Sequence, residues 1–182
     1  CLVGSEMCIR DSGLNDAKRL VYNHYKTDKE SSIVHNNLKD MKDVLTYSLQ
    51  YQKGAWVLHM LRNYIGEDNF RKGIRNYYKK YYNSTTTTNQ FKTEMEVVSG
   101  MNLDTFFDQW LYKGGNMVLD GNWKFDEKKG RIEVNLNQVQ NDGYLFEMPL
   151  ELGISYNDKN LEKIQTVKLE KEKGRFYIAS VS

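Results

Sequence analysis

The amino-acid sequence predicts an α+β protein in which a helical region precedes antiparallel strands. Up to about residue 116, apolar residues recur every three to four positions, as they do on one face of an α-helix. Beyond that point they alternate with polar residues, as along strands with one buried face. Clusters of Gly, Asn, Asp and Ser, typical of turns, separate the segments. This order indicates a helical domain joined to a β domain.

A buried helix is predicted from LQYQKGAWVLHML, residues 49–61, where eight of thirteen residues are apolar or aromatic. Ser48 is a predicted N-cap, which would place Tyr51 in the first helical turn. Gly54 lies inside the helix, where glycine is roughly 1 kcal/mol less favourable than alanine. We therefore expect another element or substrate-lining backbone to approach Gly54 closely. Weaker patterns predict helices over residues 14–26 and about 40–48.

A basic and aromatic helix is predicted from NFRKGIRNYYKKYY, residues 69–82, after a stop at Gly66. Its apolar residues fall on one helical face, and basic residues take the other faces. The apolar residues are Phe70, Ile74, Tyr77, Tyr78 and Tyr81. A basic, aromatic surface can bind nucleic acid, but this spacing favours an amphipathic helix whose tyrosines face a core.

Two further helices have clear boundary signals. Thr87 and Gln90 have the spacing of a capping box, before a helix that Gly100 ends. The segment NLDTFFDQWLYKGG predicts a last helix from near Asn102 to the glycine pair at residues 114–115.

About five antiparallel strands are predicted after residue 116. Apolar residues alternate with polar ones around residues 132–136, and again from Tyr144 to Tyr156. Pro149 lies within the longer run and is expected at a sheet edge or a bulge, because proline cannot donate to the ladder. Five strands correspond to part of a sandwich or barrel.

Composition limits the possible functions. The 182 residues carry a net charge of +2, which argues against a dedicated nucleic-acid surface, and no apolar run is long enough for a membrane span. The opening CLVGSEMCIRDS holds the only two cysteines and resembles a leader translated from sequencing-adaptor DNA. We predict a foreign leader at residues 1–12, a helical domain at 13–116 and a truncated β domain at 117–182. Cellular location and oligomeric state stay open.

The residues alone nominate no catalytic centre. Neither His24, His35 nor His59 has a second histidine four positions later, so the zinc-peptidase pattern HExxH is absent. His59 is expected to be a histidine of the core or of a groove. No serine lies in a G-x-S-x-G turn, and no glycine-rich phosphate loop occurs.

A succession of motifs nevertheless resembles the zinc aminopeptidases of the membrane alanyl aminopeptidase (aminopeptidase N) family, which includes leukotriene A4 hydrolase. In order along the chain, the motifs are YQKGA (51–55), LHML (58–61), IGEDNF (65–70), MEVVSG (95–100) and FFDQWL (106–111). Residues 118–156 resemble the β-sandwich domain that follows in many bacterial members. Met117 departs from the family, which usually has proline there.

The resemblance implies a fold and a reaction. The fold would be the C-terminal helical half of a thermolysin-like (gluzincin) catalytic domain, followed by part of an antiparallel β-sandwich domain. The reaction would be zinc-dependent hydrolysis of N-terminal residues from peptides with a free N-terminus. Tyr51 aligns with the family's tyrosine that stabilises the oxyanion, and a tyrosine hydroxyl can donate that hydrogen bond. Lys53 is interpreted as structural and receives no role.

The same resemblance implies that this chain lacks the metal ligands. In the family, HExxH and a further glutamate lie upstream of the tyrosine, so we expect an internal fragment that is inactive by itself. The alternative is a non-catalytic relative that serves as a protein-binding scaffold, and retention of Tyr51 favours the enzyme. An unrelated helical module joined to a β domain is the third interpretation.

Overall fold

Helices occupy the first part of the chain and strands the second, as the sequence predicts. The computed structural model describes residues 2–34, 46–141, 144–154 and 163–179. The chain forms two compact units, Cys1–Gly115 and Asn116–Ser182. The α-helices are α1 (Leu2–Thr27), α2 (Gly54–Ile65), α3 (Glu67–Lys80), α4 (Thr88–Ser99) and α5 (Asp104–Phe107). Two π-helical segments are π1 (Tyr47–Lys53) and π2 (Asp108–Tyr112).

The first helix is longer than the pattern at residues 14–26 predicts. Helix α1 begins at Leu2, within the segment interpreted as a foreign leader. That assignment of residues 1–12 stays a prediction. Most of the predicted helix at about 40–48 lies outside the described residues. Of its described positions, Thr46 precedes π1 and the next two residues belong to π1.

Helix boundaries follow the local signals. Thr87 is the N-cap of α4: its hydroxyl accepts from the Gln90 backbone N–H at 3.4 Å. The Gln90 side chain accepts from the Thr87 backbone N–H at 2.8 Å, so the predicted capping box is confirmed. Gly66 and Gly100 end α2 and α4 with φ values of 86° and 68°, which glycine adopts without steric penalty.

The predicted buried face of α3 is partly wrong. Ile74 is 37% exposed and Tyr78 is 65% exposed, whereas Gly73 is buried. The reason is the approach of α4: a Cβ built on Gly73 would lie only 2.6 Å from the Sδ atom of Met95. The line of contact therefore runs through Phe70, Gly73 and Tyr77, and the ring of Tyr77 packs edge-on against Phe91 of α4.

The second unit contains the five strands β1 (Leu119–Asp126), β2 (Arg131–Gln138), β3 (Met148–Ile154), β4 (Lys163–Leu169) and β5 (Lys173–Ala179). They form an antiparallel sheet in the order β1-β2-β5 and an antiparallel pair, β3-β4. Buried side chains of Phe146, Val167, Leu169 and Ile178 form its core. This α+β arrangement confirms the predicted fold class.

The long alternating run at residues 144–156 is strand only from Met148 to Ile154. Phe146 precedes the strand, because its backbone N–H and C=O both bond to the buried side chain of Gln138, at 2.9 Å and 2.7 Å. Tyr156 lies outside the described residues. Pro149 lies in β3 and pairs with Lys168 of β4. In the described part of the chain β4 is the one strand that pairs with β3, so Pro149 lies in an edge strand as predicted.

Among the described residues, none of the helices has the length and apolar character that a bilayer crossing demands.

Candidate functional site

Tyr51 lies on a backbone that is held from the opposite side. Every fourth residue along π1 and α2 is buried, which gives one continuous line facing the helical core. These residues are Leu49, Lys53, Val57, Leu61 and Ile65. Tyr51 points away from this line and is 58% exposed. Its ring centroid lies 5.8 Å from that of Tyr47, one turn earlier.

The start of this helix differs from the prediction. Ser48 is not the N-cap, since π1 already begins at Tyr47 and Thr46 occupies the cap position without a side-chain hydrogen bond. The C=O of Thr46 accepts the first backbone hydrogen bonds, from Leu49 at 3.0 Å and Gln50 at 3.1 Å. Tyr51 is therefore the fifth residue of a π-helical segment, a feature often found at functional sites.

A groove of about 560 Å³ opens beside Tyr51. One wall is formed by π1 and α2, which contribute Tyr51, Gly54 and Leu58 together with Val57 and Leu61 of the buried line. The remaining lining comes from the loop before α4 and from aromatic and aliphatic residues of α3, α4, α5 and π2. It includes Tyr77, Thr86, Thr87, Thr88, Phe91, Phe107 and Leu111. The groove has the size of a small-ligand site and is mainly apolar, and its lining includes hydroxyl-bearing tyrosine and threonine side chains.

The sequence predicts that another element approaches Gly54 closely, but no such approach is seen among the described residues. A Cβ built on Gly54 would meet only the backbone oxygen of Leu49, at 3.9 Å. Its φ of −57° and ψ of −45° are ordinary α-helical values that alanine also adopts. Gly54 does line the groove, so the absence of a side chain there leaves the groove wider.

Lys53, interpreted from the sequence as structural, is buried and makes contacts that the sequence does not predict. Its side chain is 3% exposed, and its Nζ donates to the hydroxyl of Tyr25 at 2.7 Å and to the backbone oxygen of Lys113 at 3.1 Å. Burial lowers the pKa of Lys53 from 10.5 to about 8, because desolvation disfavours the charged ammonium. A signal was present: Lys53 occupies a position of the four-residue repeat that otherwise holds only apolar residues.

The two histidines that the structure describes, His24 and His59, belong to no group of residues that could hold a metal ion. His59 is partly buried against the edge of Trp56, with ring centroids 5.6 Å apart, and its Nε2 lies 3.3 Å from the side-chain nitrogen of Asn63. His24 lies on α1, with its Nε2 3.8 Å from Asp28, and His35 falls outside the described residues. Within the described ranges, no three His, Cys, Asp or Glu residues are grouped so that they could hold a metal ion.

Two ion pairs, each with one exposed partner, join helices that contribute residues to the groove. Lys80 of α3 bonds to the buried carboxylate of Glu94 in α4 at 2.5 Å, which raises the pKa of the lysine. Lys92 of α4 pairs with Asp104 at the start of α5, and this contact lowers the pKa of Asp104. The first pair joins α3 to α4 and the second joins α4 to α5, so both have structural roles.

Comparison with known proteins gives consistent results. Residues 4–110 match the Peptidase family M1 domain. Aminopeptidase M1-D of Oryza sativa subsp. japonica is 29% identical over 116 residues, which cover 64% of this chain and 13% of the rice protein. Probable aminopeptidase 2 of Sulfurisphaera tokodaii is 31% identical over 134 residues, or 72% of this chain and 16% of that protein.

A solved structure shares the fold. Legionella pneumophila aminopeptidase A, solved in complex with aspartic acid, superposes with a TM-score of 0.72 at 15% identity. The match covers 84% of this chain and 18% of the Legionella chain. This chain therefore spans less than a fifth of the length of the relatives it matches.

Proposed function

Because this chain belongs to peptidase family M1, we propose that it is part of a zinc aminopeptidase that removes N-terminal residues from peptides, with Tyr51 as the oxyanion donor. The substrates would be peptides with a free N-terminus. The observation that carries the proposal is the combination of an exposed Tyr51 side chain with a backbone anchored by buried Leu49 and Lys53. Such an arrangement suits a donor whose position is set before the substrate binds.

The proposed role follows from the chemistry of amide hydrolysis. Attack on the peptide carbonyl places negative charge on its oxygen, and a protonated phenol can donate a hydrogen bond to that oxygen. Loss of one preorganised donor of this kind typically lowers kcat by about 10²–10³, or roughly 3–4 kcal/mol. The groove beside Tyr51 offers a mainly apolar surface on which part of a peptide can rest.

Zinc would supply a Lewis acid and an activated water in such an enzyme. The described residues do not fit a zinc site, since they contain no suitable group of ligands. The metal would have to be held by residues other than these. The chemistry proposed for this chain is accordingly limited to Tyr51 and the adjoining groove.

The proposal is tested by Tyr51→Phe in the longer protein that would carry this chain. We expect kcat for an aminoacyl-anilide to fall by about 10²–10³ with zinc content unchanged, because only the hydroxyl is lost. Tyr47→Phe is the matched control, since Tyr47 lies on the same π1 segment, is 60% exposed and contacts the ring of Tyr51. That variant should retain near-wild-type kcat.

Two results would count against the proposal. A near-normal kcat for Tyr51→Phe, or an equal loss for Tyr47→Phe, would remove the specific role of Tyr51. A wild-type protein that binds no zinc and hydrolyses no aminoacyl-anilide would instead favour the protein-binding scaffold.

A further inference from the structure

Lys53 connects three parts of the helical unit. It is the last residue of π1, two positions after Tyr51. Its Nζ donates to the Tyr25 hydroxyl on α1 and to the backbone oxygen of Lys113, which follows π2. The Tyr25 hydroxyl in turn donates to the backbone oxygen of Ser31 at 3.0 Å. Lys53 thereby joins the segment carrying Tyr51 to two segments far away in the sequence.

Packing alone does not explain a lysine at this position. The neighbouring buried positions, Leu49 and Val57, hold aliphatic residues, and an unbranched apolar side chain would fill the same space without desolvating an ammonium group. The lysine instead provides directional bonds at 2.7 Å and 3.1 Å. Its ammonium also lies 4.9 Å from the centre of the Tyr25 ring, within the range of a cation–π contact.

These bonds act where the helix changes its winding. The chain is π-helical up to Lys53 and α-helical from Gly54 onward. The winding of a helix sets the direction in which each side chain points, so a change at this junction turns Tyr51 relative to the groove. Hydrogen bonds that fix the last residue of π1 to α1 and to Lys113 oppose such a change.

We propose that Lys53 is a positioning residue, which holds π1 in its observed winding and thereby aims the Tyr51 hydroxyl at the reacting carbonyl. The inference rests on the proposed function, since it concerns how Tyr51 acts. Lys53 does not touch the substrate in this account. Its contribution is the placement of Tyr51, and a displacement of about 1 Å at a reacting centre can lower the rate about 10²-fold.

The test is a double-mutant cycle in the longer enzyme. Lys53→Met removes the donor but keeps an unbranched side chain of similar length. We expect it to lower kcat by about 10- to 100-fold, with little change in KM or zinc content. In a Tyr51→Phe background, the same substitution should lower kcat by less than about threefold, because the hydroxyl that Lys53 positions is already absent.

A second variant keeps the test informative if Lys53→Met folds poorly. Tyr25→Phe removes only the hydroxyl that accepts from Lys53 and retains the buried ring. It should also lower kcat, by a smaller factor, and this effect should likewise disappear in the Tyr51→Phe background. Thermal melting of each variant shows whether the folded protein is being compared.

The outcomes separate the inference from the proposed function. A near-wild-type kcat for Tyr51→Phe would overturn both the proposed role of Tyr51 and the positioning role of Lys53. If Tyr51→Phe is slow but Lys53→Met and Tyr25→Phe are as fast as wild type, the positioning role alone is overturned. An equal loss from Lys53→Met in both backgrounds would also overturn it, since Lys53 would then act independently of Tyr51.

Discussion

Two helical glycines should respond in opposite ways to the same substitution. Gly54 lies in an open wall of the groove, whereas Gly73 is buried between α3 and α4. Alanine is favoured over glycine within a helix by up to about 1 kcal/mol. The two sites therefore share this favourable contribution and differ in the space available for a methyl group.

The expected magnitudes follow from the distances. At Gly54 the new Cβ would meet only the backbone oxygen of Leu49 at 3.9 Å, so Gly54→Ala should stabilise the protein by about 0.5–1 kcal/mol. At Gly73 the Cβ would lie 2.6 Å from the Sδ of Met95 and 3.2 Å from Val98. The thioether end of Met95 is flexible, but the residue is 0% exposed and has little room to shift, and overpacking of such a core typically destabilises by about 1–3 kcal/mol. Gly73→Ala should thus be about 1–3 kcal/mol less stable than Gly54→Ala.

Urea unfolding of the 182-residue chain, followed by far-UV circular dichroism, measures both variants. The described helices all lie in the first unit, so the helical signal reports on the region that contains both glycines. Equal stabilisation of the chain by Gly73→Ala and Gly54→Ala, or destabilisation by Gly54→Ala, would show that the space for a methyl group does not decide the effect.

Two further predictions concern Lys53 and the isolated chain. Burial lowers the pKa of Lys53 from 10.5 to about 8. Between these two pH values the unfolded chain binds more protons than the folded chain, so the free energy of unfolding should rise with pH. Relative to Lys53→Met, the wild-type free energy of unfolding should increase by about 2 kcal/mol from pH 7.5 to pH 9.5 in urea titrations; a constant difference would contradict the shift. Supplied with zinc, the purified 182-residue chain should not hydrolyse an aminoacyl-anilide, and measurable turnover would refute the proposal that the metal ligands lie elsewhere.

Elements specified by local signals could be predicted from the sequence. The capping box of Thr87 and Gln90 and the glycine stops at residues 66 and 100 each depend on residues within a few positions, and all are present in the structure. The change from helices to antiparallel strands was likewise predicted, because the period of the apolar pattern changes near residue 116.

Features that depend on distant neighbours could not be predicted. The buried face of α3 shifts from Ile74 and Tyr78 to Gly73 because Met95, 22 positions later, packs against the glycine. The two partners of Lys53 are 28 and 60 residues away in sequence. Periodicity places Lys53 on the core side of its helix, but it does not show which acceptors the ammonium finds there.

The position of Tyr51 illustrates both cases. Its motif predicts the side chain that would act, yet the π-helical winding of Tyr47–Lys53 and the unused cap at Ser48 are seen only in the structure. The exposed phenol of Tyr51 on an anchored backbone agrees with the proposed role. The hydrogen bond through which Lys53 anchors that backbone could not be predicted from the sequence.

The proposed stabilisation of the transition state of peptide hydrolysis by the Tyr51 hydroxyl can be measured with a transition-state analogue. In the longer enzyme, one would compare wild type and Tyr51→Phe for kcat/KM and for inhibition by a peptide analogue whose scissile bond is replaced by a tetrahedral phosphinic group. In Tyr51→Phe, inhibition by the analogue should weaken in parallel with the loss of kcat/KM, by up to about 10²–10³, while KM for the substrate hardly changes. Unchanged inhibition by the tetrahedral analogue, or an equal weakening of substrate and analogue binding, would show that the Tyr51 hydroxyl does not act on the transition state.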